Sequence, residues 1–170
     1  LFLEKVRELA ERFAAYRTRI GDRAPRATVA AADARDIQGL ETASIDLIVT
    51  SPPYPGVYDY LEHHIHRLRW LGLKPSFLQA QEIGSRRDYR RLRFDEASEL
   101  WAEEMGATLR EMRRLLASDG RAVVIVADSV VDRQAFRADE AFAQIAPRHG
   151  MEVKVIASQE RPLFLYGAEE

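Results

Sequence analysis

The chain has 170 residues, 46% of them hydrophobic and 31% charged, with a formal net charge of −2; this is enough for one globular domain over residues 1–170 and provides no overall attraction to nucleic acid. It contains no cysteine, which excludes disulfides and thiolate metal sites and is compatible with the cytoplasmic location that we expect. No apolar run approaches the roughly 18–20 residues needed to cross a bilayer, so we expect no membrane segment.

The first part of the chain predicts a helix followed by two strands. Apolar residues recur at helical spacing from Leu3 to Tyr16, which predicts an amphipathic helix that ends near Gly21. Residues 27–31 are a small strand candidate with an acidic residue, Asp33, just beyond it. Residues 45–50, Ile-Asp-Leu-Ile-Val-Thr, predict a short buried strand.

The middle of the chain predicts two helices separated by a basic, irregular segment. The first runs from Leu61 to Leu71 and is closed by Gly72. Residues 74–94 follow, with five arginines within eight positions, at 86, 87, 90, 91 and 93. A long helix is predicted from Asp95 and should end at Asp119-Gly120, because glycine is the usual left-handed cap.

The last part of the chain predicts strands on either side of a helix. Residues 122–127 are continuously apolar, as expected of a parallel strand that is covered on both faces. A helix over residues 139–149 is followed by strand candidates at 152–157 and 163–166. Alternating strands and helices predict an α/β layered sheet.

The most informative stretch is Thr50-Ser51-Pro52-Pro53-Tyr54, which directly follows the predicted strand. Two prolines cannot continue a central strand, because neither has a backbone N–H for the ladder. The strand must therefore stop and present a hydroxyl, rigid carbonyls and an aromatic ring at its carboxyl end. In open parallel sheets, ligands bind at that end.

These groups are suited to an exocyclic amino group on a heteroaromatic ring. The lone pair of such a nitrogen is delocalised into the ring, and two acceptors aimed at its hydrogens favour the tetrahedral form that can attack a methyl donor. The Ser51 hydroxyl and the Pro52 carbonyl can supply them, and the proline rings hold that carbonyl stiffly. Tyr54 can stack on the ring. A base inside a duplex would have to be flipped out to reach them.

The Ser-Pro-Pro-Tyr segment after an Asp-Leu-Ile-Val strand resembles the catalytic motif of the S-adenosylmethionine-dependent DNA amino-methyltransferases. The Ser form is most typical of cytosine-N4 enzymes, and the Asp form of adenine-N6 enzymes. Residues 50–60, 68–72, 82–87 and 119–126 are similar to one bacterial group of DNA methylases. The resemblance implies a Rossmann-like sheet of mostly parallel strands with helices on both faces, and DNA as the substrate.

The resemblance also implies roles for individual residues. Ser51 and Pro52 would receive the target amino group, with Pro53 completing the rigid turn, and Tyr54 would stack on the base. Asp33 and Thr50 would contact S-adenosylmethionine, Asp33 at its adenine end.

The chain departs from the family at the cofactor loop. The family's Phe-x-Gly-x-Gly turn, whose backbone approaches the methionine part of the cofactor, has no counterpart in this sequence, and the first strands of the sheet are missing as well. We therefore expect an upstream segment of the same protein to carry them. On that expectation the sheet is partial, the cofactor site is half-built, and the chain alone has weak or no activity.

Three further residues could contact the DNA. Arg86 and Arg87 could neutralise phosphates, or could lie in a solvated loop paired with Glu82, Asp88 and Asp95. Tyr58 is expected to line the base pocket rather than pack under the helix that follows.

Other conspicuous residues predict structure rather than chemistry. His63 and His66 share a helix face, but no Cys and no clear third ligand accompanies them, so we expect no metal. Trp70 and Trp101 are predicted core residues. Glu103 and Glu104 are predicted to form a solvated helix face.

Two alternative functions stay open. One is methylation of RNA or of a protein amide, although those related enzymes usually carry Asn or Asp in place of Ser51. The other is a catalytically inactive methyltransferase fold that only binds nucleic acid or a partner. The residues do not indicate a target sequence or membership of a restriction–modification system.

Overall fold

The computed structural model describes residues 2–21, 27–74 and 82–159, which divide between two compact units, Leu1–Ala31 and Ala32–Glu170. The first unit contains helix α1 (Phe2–Ile20), as its apolar spacing predicts. Glu8 pairs with Lys5 and Arg12 along the helix surface, and none of the α1 residues is buried. A single domain over residues 1–170 stays a prediction.

The second unit is a mixed α/β structure. Its elements are β1 (Ile45–Thr50), α2 (Tyr60–Trp70), α3 (Arg86–Tyr89), α4 (Phe94–Leu115), β2 (Leu116–Val124), β3 (Ser129–Val131), β4 (Gln134–Phe136), α5 (Ala138–Ile145) and a 3₁₀ turn (Ala146–His149). Strands β1 and β2 pair in parallel, and β3 and β4 form an antiparallel hairpin that is not among the predicted elements. The predicted positions of β1, of α2, and of a helix over residues 139–149 are confirmed, the last as α5 followed by the 3₁₀ turn. The prediction that β1 is buried is wrong, since Leu47 and Val49 are 57% and 63% exposed.

Helix α4 carries the core. Trp101, Met105 and Leu109 lie on its inward face and are each 1% exposed. Trp101 contacts Phe136 and Phe142 edge-to-face, with ring centroids 5.2 Å apart in both pairs. The core prediction is therefore confirmed for Trp101, but it is wrong for Trp70, which is 86% exposed at the end of α2.

The long helix ends earlier than predicted. Helix α4 stops at Leu115, and Leu116 already has the extended conformation of β2. Ile45 of β1 pairs with Leu116 of β2, and the next pair is Leu47 with Arg121. Because β2 uses more residues than β1 between these two pairs, β2 contains a bulge. Gly120 lies in this bulge, where a Cβ would come 2.9 Å from the Ile45 carbonyl oxygen. It is the close approach of the strands, and not a helix cap, that requires glycine here.

In the described part of the chain, the parallel strands β1 and β2 pack against the core with one face. Ile48, Ala122 and Val124 pack against the core, while the alternate residues face away from it. The exposed alternate residues are Leu47, Val49, Val123 and Ile125. For these strands, helices on both faces of the sheet stay a prediction.

Two predicted strands are also wrong. Residues 27–31 and 152–157 pair with no neighbouring strand among the described residues, and Val29 and Val155 are 94% and 82% exposed. A strand exists only where a partner accepts its backbone hydrogen bonds, which local composition does not reveal. The strand candidate at 163–166 lies outside the described residues.

Candidate active site

The predicted catalytic segment follows β1 directly. Thr50 ends the strand, and its carbonyl accepts the N–H of Ile125 at 2.9 Å. After Thr50 the chain leaves the sheet, as expected for residues that have no N–H to give. Pro52 is buried and Ser51 is exposed, so the proline anchors the segment while the hydroxyl faces solvent.

A tight turn completes the segment. The Val57 N–H donates to the Tyr54 carbonyl at 3.4 Å, and Gly56 between them has φ +70°. Proline followed by glycine at the two central positions is typical of a type II turn, which needs positive φ at the second. Pro55 is among the most deeply buried side chains, so this turn is fixed to the body of the unit.

Two of the predicted catalytic side chains lie together. The Ser51 Oγ is 3.2 Å from the Tyr54 Oη. A hydroxyl has one hydrogen and two lone pairs, so a Ser51 that donates to Tyr54 keeps both lone pairs for other donors. The Tyr54 ring is partly exposed. An acceptor and an aromatic face are thus offered together at the end of β1.

A second segment, residues 82–87, braces this loop from behind. The Gly84 carbonyl accepts the Gly56 N–H at 3.0 Å, and the Arg86 N–H donates to the Tyr58 carbonyl at 3.2 Å. A Cβ at Gly84 would lie 3.3 Å from the Tyr54 carbonyl oxygen, and Gly84 has φ +68°. Only glycine fits this contact without strain.

Buried carboxylates extend the bracing to the start of α2. Asp59, which is 8% exposed, accepts the Arg87 N–H at 2.8 Å. The Glu82 carboxylate accepts the Tyr60 N–H. Both bonds join residues far apart in the sequence, and together they hold residues 82–87 against the loop that carries Tyr54.

Glu104 on α4 supports the same segment. Its Oε2 accepts the Gly84 N–H at 3.1 Å and the Tyr89 hydroxyl at 2.8 Å. Burial, and then the neighbouring Glu104 charge, raise the pKa of Tyr89, so the phenol stays a donor. Burial also raises the pKa of Glu104 above its usual range. The prediction of a solvated face is therefore wrong for Glu104, while Glu103 is exposed as predicted.

Asp33, the predicted adenine contact, is held by Arg35. Its Oδ1 accepts both the Arg35 backbone N–H and Nε at 2.9 Å, and its Oδ2 accepts Nη2 at 2.7 Å. These bonds to Arg35 lower the pKa of Asp33. A carboxylate has four lone pairs, two on each oxygen. The three bonds from Arg35 use both lone pairs of Oδ1 and one of Oδ2, so one acceptor position is left, on Oδ2. Asp33 follows no strand, but it forms an isolated bridge with Asp36.

The connector between Asp33 and β1 is also fixed to α4. Glu111, which is 7% exposed, accepts the Ile37 N–H at 2.8 Å. Arg114 pairs with Glu111 at 2.6 Å and donates to the carbonyls of Ile37 and Leu40. Helix α4 thus supports the connector with one carboxylate and the catalytic loop with another, Glu104, two turns earlier.

The two predicted phosphate contacts differ in their surroundings. The Arg87 guanidinium lies 3.3 Å from Asp88 and 3.7 Å from Glu82, as the alternative of a paired loop anticipated. The Arg86 side chain is exposed, and the described residues offer it no ion pair. Arg86 is therefore the better placed of the two for a phosphate.

Tyr58 belongs to a cluster of rings at the start of α2. It stacks on His63 with centroids 4.3 Å apart and an interplanar angle of 14°, and it meets Tyr60 edge-on at 4.6 Å. Tyr58 is 37% exposed, so it does not pack beneath the helix.

No group of three or more His, Cys, Asp or Glu that could hold a metal occurs in residues 2–21, 27–74 and 82–159. None of the described helices is long and apolar enough to span a bilayer.

The residues that brace the loop are not among the predicted site residues. For Glu104 a signal existed: it lies three residues after Trp101 and four before Thr108, on the buried stripe of α4. For Gly84 and Asp59 no local signal existed, because their partners lie 28 residues away in the chain.

Comparison with known proteins adds one likeness. No protein-family model and no curated protein matches the chain. Among solved structures, the chain is similar to the crystal structure of a "Putative DNA Modification Methylase" from Thermus thermophilus, with 24% sequence identity and a TM-score of 0.41. The match covers 70% of this chain, which spans 38% of that protein.

Proposed function

We propose that this chain is the base-binding part of an S-adenosylmethionine-dependent DNA amino-methyltransferase, with cytosine N4 favoured over adenine N6 as the target. The observation that carries the proposal is the Ser51–Tyr54 segment. It leaves a parallel strand at its carboxyl end with the Ser51 hydroxyl exposed, Pro52 buried, and the Tyr54 hydroxyl 3.2 Å from that of Ser51.

These residues would prepare the target nitrogen. Ser51 donates its hydrogen to Tyr54, and its lone pairs accept one hydrogen of the amino group. The Pro52 carbonyl accepts the other. Because Pro52 is buried and followed by a second proline, its carbonyl needs little reorganisation as the nitrogen becomes tetrahedral. The Tyr54 ring holds the flipped base by stacking.

Asp33 has one acceptor position that could receive a hydrogen bond from S-adenosylmethionine. The free position on Asp33 Oδ2 suits a single donor, such as the amino group of the adenine end, and Thr50 lies at the end of β1 beside the catalytic segment. When bound, S-adenosylmethionine would supply the methyl group: the nitrogen would gain an N–C bond, the S–C electron pair would stay on sulfur, and the proton of the nitrogen would pass to water.

The test is methyl transfer by the Ser51→Ala variant of the intact protein. Labelled S-adenosylmethionine is supplied with DNA, RNA and protein in parallel, and methylated nucleosides are identified by mass spectrometry. Loss of a preorganised polar contact should lower kcat about 100-fold or more on DNA, with N4-methylcytosine as the product. Ser118→Ala is the matched control, because Ser118 is an exposed residue of β2 whose hydroxyl makes no hydrogen bond in the described part of the chain. Unchanged turnover in Ser51→Ala would contradict the assigned role, and methylated RNA or protein would favour the alternative substrates.

A further inference from the structure

The Glu104 carboxylate lies at a junction between two distant parts of the chain. It projects from the middle of α4, and a single oxygen, Oε2, receives both the Gly84 N–H at 3.1 Å and the Tyr89 hydroxyl at 2.8 Å. Tyr89 is 2% exposed. Glu104 itself is half-buried, and even partial burial of a carboxylate has a desolvation cost.

Gly84 transmits this contact to the predicted catalytic loop. Its N–H is held by Glu104, and its carbonyl accepts the Gly56 N–H at 3.0 Å. Its backbone also packs so closely on Tyr54 that a Cβ would lie 3.3 Å from the Tyr54 carbonyl oxygen. A displacement of Gly84 would therefore move the peptide that follows Tyr54 and, with it, the tyrosine ring.

The charge of Arg35 acts on both Glu104 and the predicted cofactor residue, Asp33. This charge opposes the effect of burial on the pKa of the Glu104 carboxylate. The same guanidinium holds Asp33 through two hydrogen bonds of 2.9 and 2.7 Å. Glu104 thus bonds directly to the support of the base side at Gly84, while the Arg35 charge that acts on it also holds Asp33.

We propose that Glu104 is a positioning residue that fixes the Ser51–Tyr54 segment through Gly84. It touches neither substrate nor cofactor. The inference rests on the proposed function for its effect on methyl transfer, but its structural part, the ordering of the loop, is measurable without any activity.

The test compares three replacements of Glu104. Gln keeps an oxygen that accepts both hydrogen bonds, Met keeps the length without an acceptor, and Asp keeps the charge but withdraws it by one methylene. Glu103→Met, on the exposed side of the same helix, is the matched control. Hydrogen exchange is measured at the amides of Gly84 and Gly56, with the Ile125 amide, which bonds to Thr50 in the sheet, as the internal reference.

We expect Glu104→Met and Glu104→Asp to speed exchange at Gly84 and Gly56 at least about tenfold while the Ile125 amide keeps its rate. In the intact protein both should lower kcat by up to about 100-fold, with DNA affinity unchanged, since loss of geometry reduces turnover rather than binding. Glu104→Gln should restore both quantities, and Glu103→Met should change neither.

The outcomes separate the two proposals. Equal exchange in Glu104→Asp and Glu104→Gln would overturn the positioning role, even if Glu104→Met fails to fold. Faster exchange with unchanged kcat would also overturn it. If the wild-type protein transfers no methyl group, the proposed function fails, and the exchange rates alone decide whether Glu104 orders the loop.

Discussion

The hydroxyl oxygens of Ser51 and Tyr54 lie 3.2 Å apart at the end of the parallel strand β1. Only Pro52 and Pro53 separate the two residues in the chain, and both leave the backbone little freedom. This proximity gives Tyr54 two separable parts: a hydroxyl that orients Ser51, and a ring face that is open to a planar ligand.

Replacement of Tyr54 by Phe or Leu separates these two parts. Phe removes a hydrogen bond of about 0.5–1.5 kcal/mol and should lower methyl transfer about 2- to 13-fold. Leu also removes the stacking surface, worth about 1–3 kcal/mol for a base, and should lower it about 5- to 150-fold further. Steady-state kinetics on a DNA substrate measure both. Equal activity of the Phe and Leu variants would contradict a stacking role.

Alanine substitutions at three glycines with positive φ test the rigidity of the loop. Gly56, Gly72 and Gly84 have φ of +70°, +70° and +68°, so each substitution should cost about 1–2 kcal/mol of backbone strain. An added Cβ would meet nothing within 4 Å at Gly72, whereas at Gly84 it would meet the Tyr54 oxygen at 3.3 Å. The order of lost stability should be Gly84→Ala first, with the other two similar. Urea unfolding gives this order, and only the loop variants, not Gly72→Ala, should lower methyl transfer.

The correctly predicted parts of the fold are those that depend on residues close together in the sequence. An apolar run ended by two prolines indicates β1 and its limit at Thr50, and an apolar stripe indicates α4. The bulge at Gly120 depends instead on the distance between two strands, which spacing along one strand does not contain. The same holds for the strand predicted at 152–157, because backbone pairing depends on a partner elsewhere in the chain.

The candidate site divides in the same way. Ser51 to Tyr54 are adjacent in sequence, so their chemistry could be predicted from residue types alone. The residues that hold them in place are not adjacent: Gly84 meets Gly56, and Arg87 meets Asp59, each across 28 positions. Motif analysis predicts reacting groups well and their supports poorly, since supports are defined by tertiary contacts.

Arg86 and Arg87 should differ in their effect on DNA binding. The Arg87 guanidinium is paired with Asp88 at 3.3 Å, while Arg86 is exposed with no ion pair in the described part of the chain. The logarithm of the DNA association constant falls with the logarithm of the salt concentration. Arg86→Gln should make this negative slope shallower by about 0.9, the value for one phosphate contact on duplex DNA. Arg87→Gln should change the slope less. Equal slopes, measured by fluorescence anisotropy from about 50 to 200 mM salt, would contradict this difference.

The two tryptophans should report separately on core and surface. Trp101 is 1% exposed and Trp70 is 86% exposed. Trp101→Ala should cost about 3–5 kcal/mol of unfolding free energy, and Trp70→Ala within about 0.5 kcal/mol. In Trp70→Phe the remaining fluorescence should be blue-shifted and resist iodide quenching, whereas the Trp101→Phe spectrum should be red-shifted and quenched. Similar quenching of both variants would contradict the placement of Trp101 in the core.

Glu111 should make stability depend on pH on the acid side. Its bonds to Arg114 and then to the Ile37 N–H hold its pKa below the ordinary value of 4.5, against the effect of burial. A carboxyl with a depressed pKa in the folded state stabilises the protein above the unfolded-state pKa, and this contribution is lost as the pH falls through the lowered value. The unfolding free energy of the wild type should therefore drop more between about pH 6 and pH 3 than that of Glu111→Gln, which does not titrate. Urea unfolding at both pH values measures the difference, with Glu99→Gln on the exposed side of α4 as the matched control. A Glu111→Gln variant that loses as much stability in acid as the wild type would show that the Glu111–Arg114 contact does not hold the connector in solution.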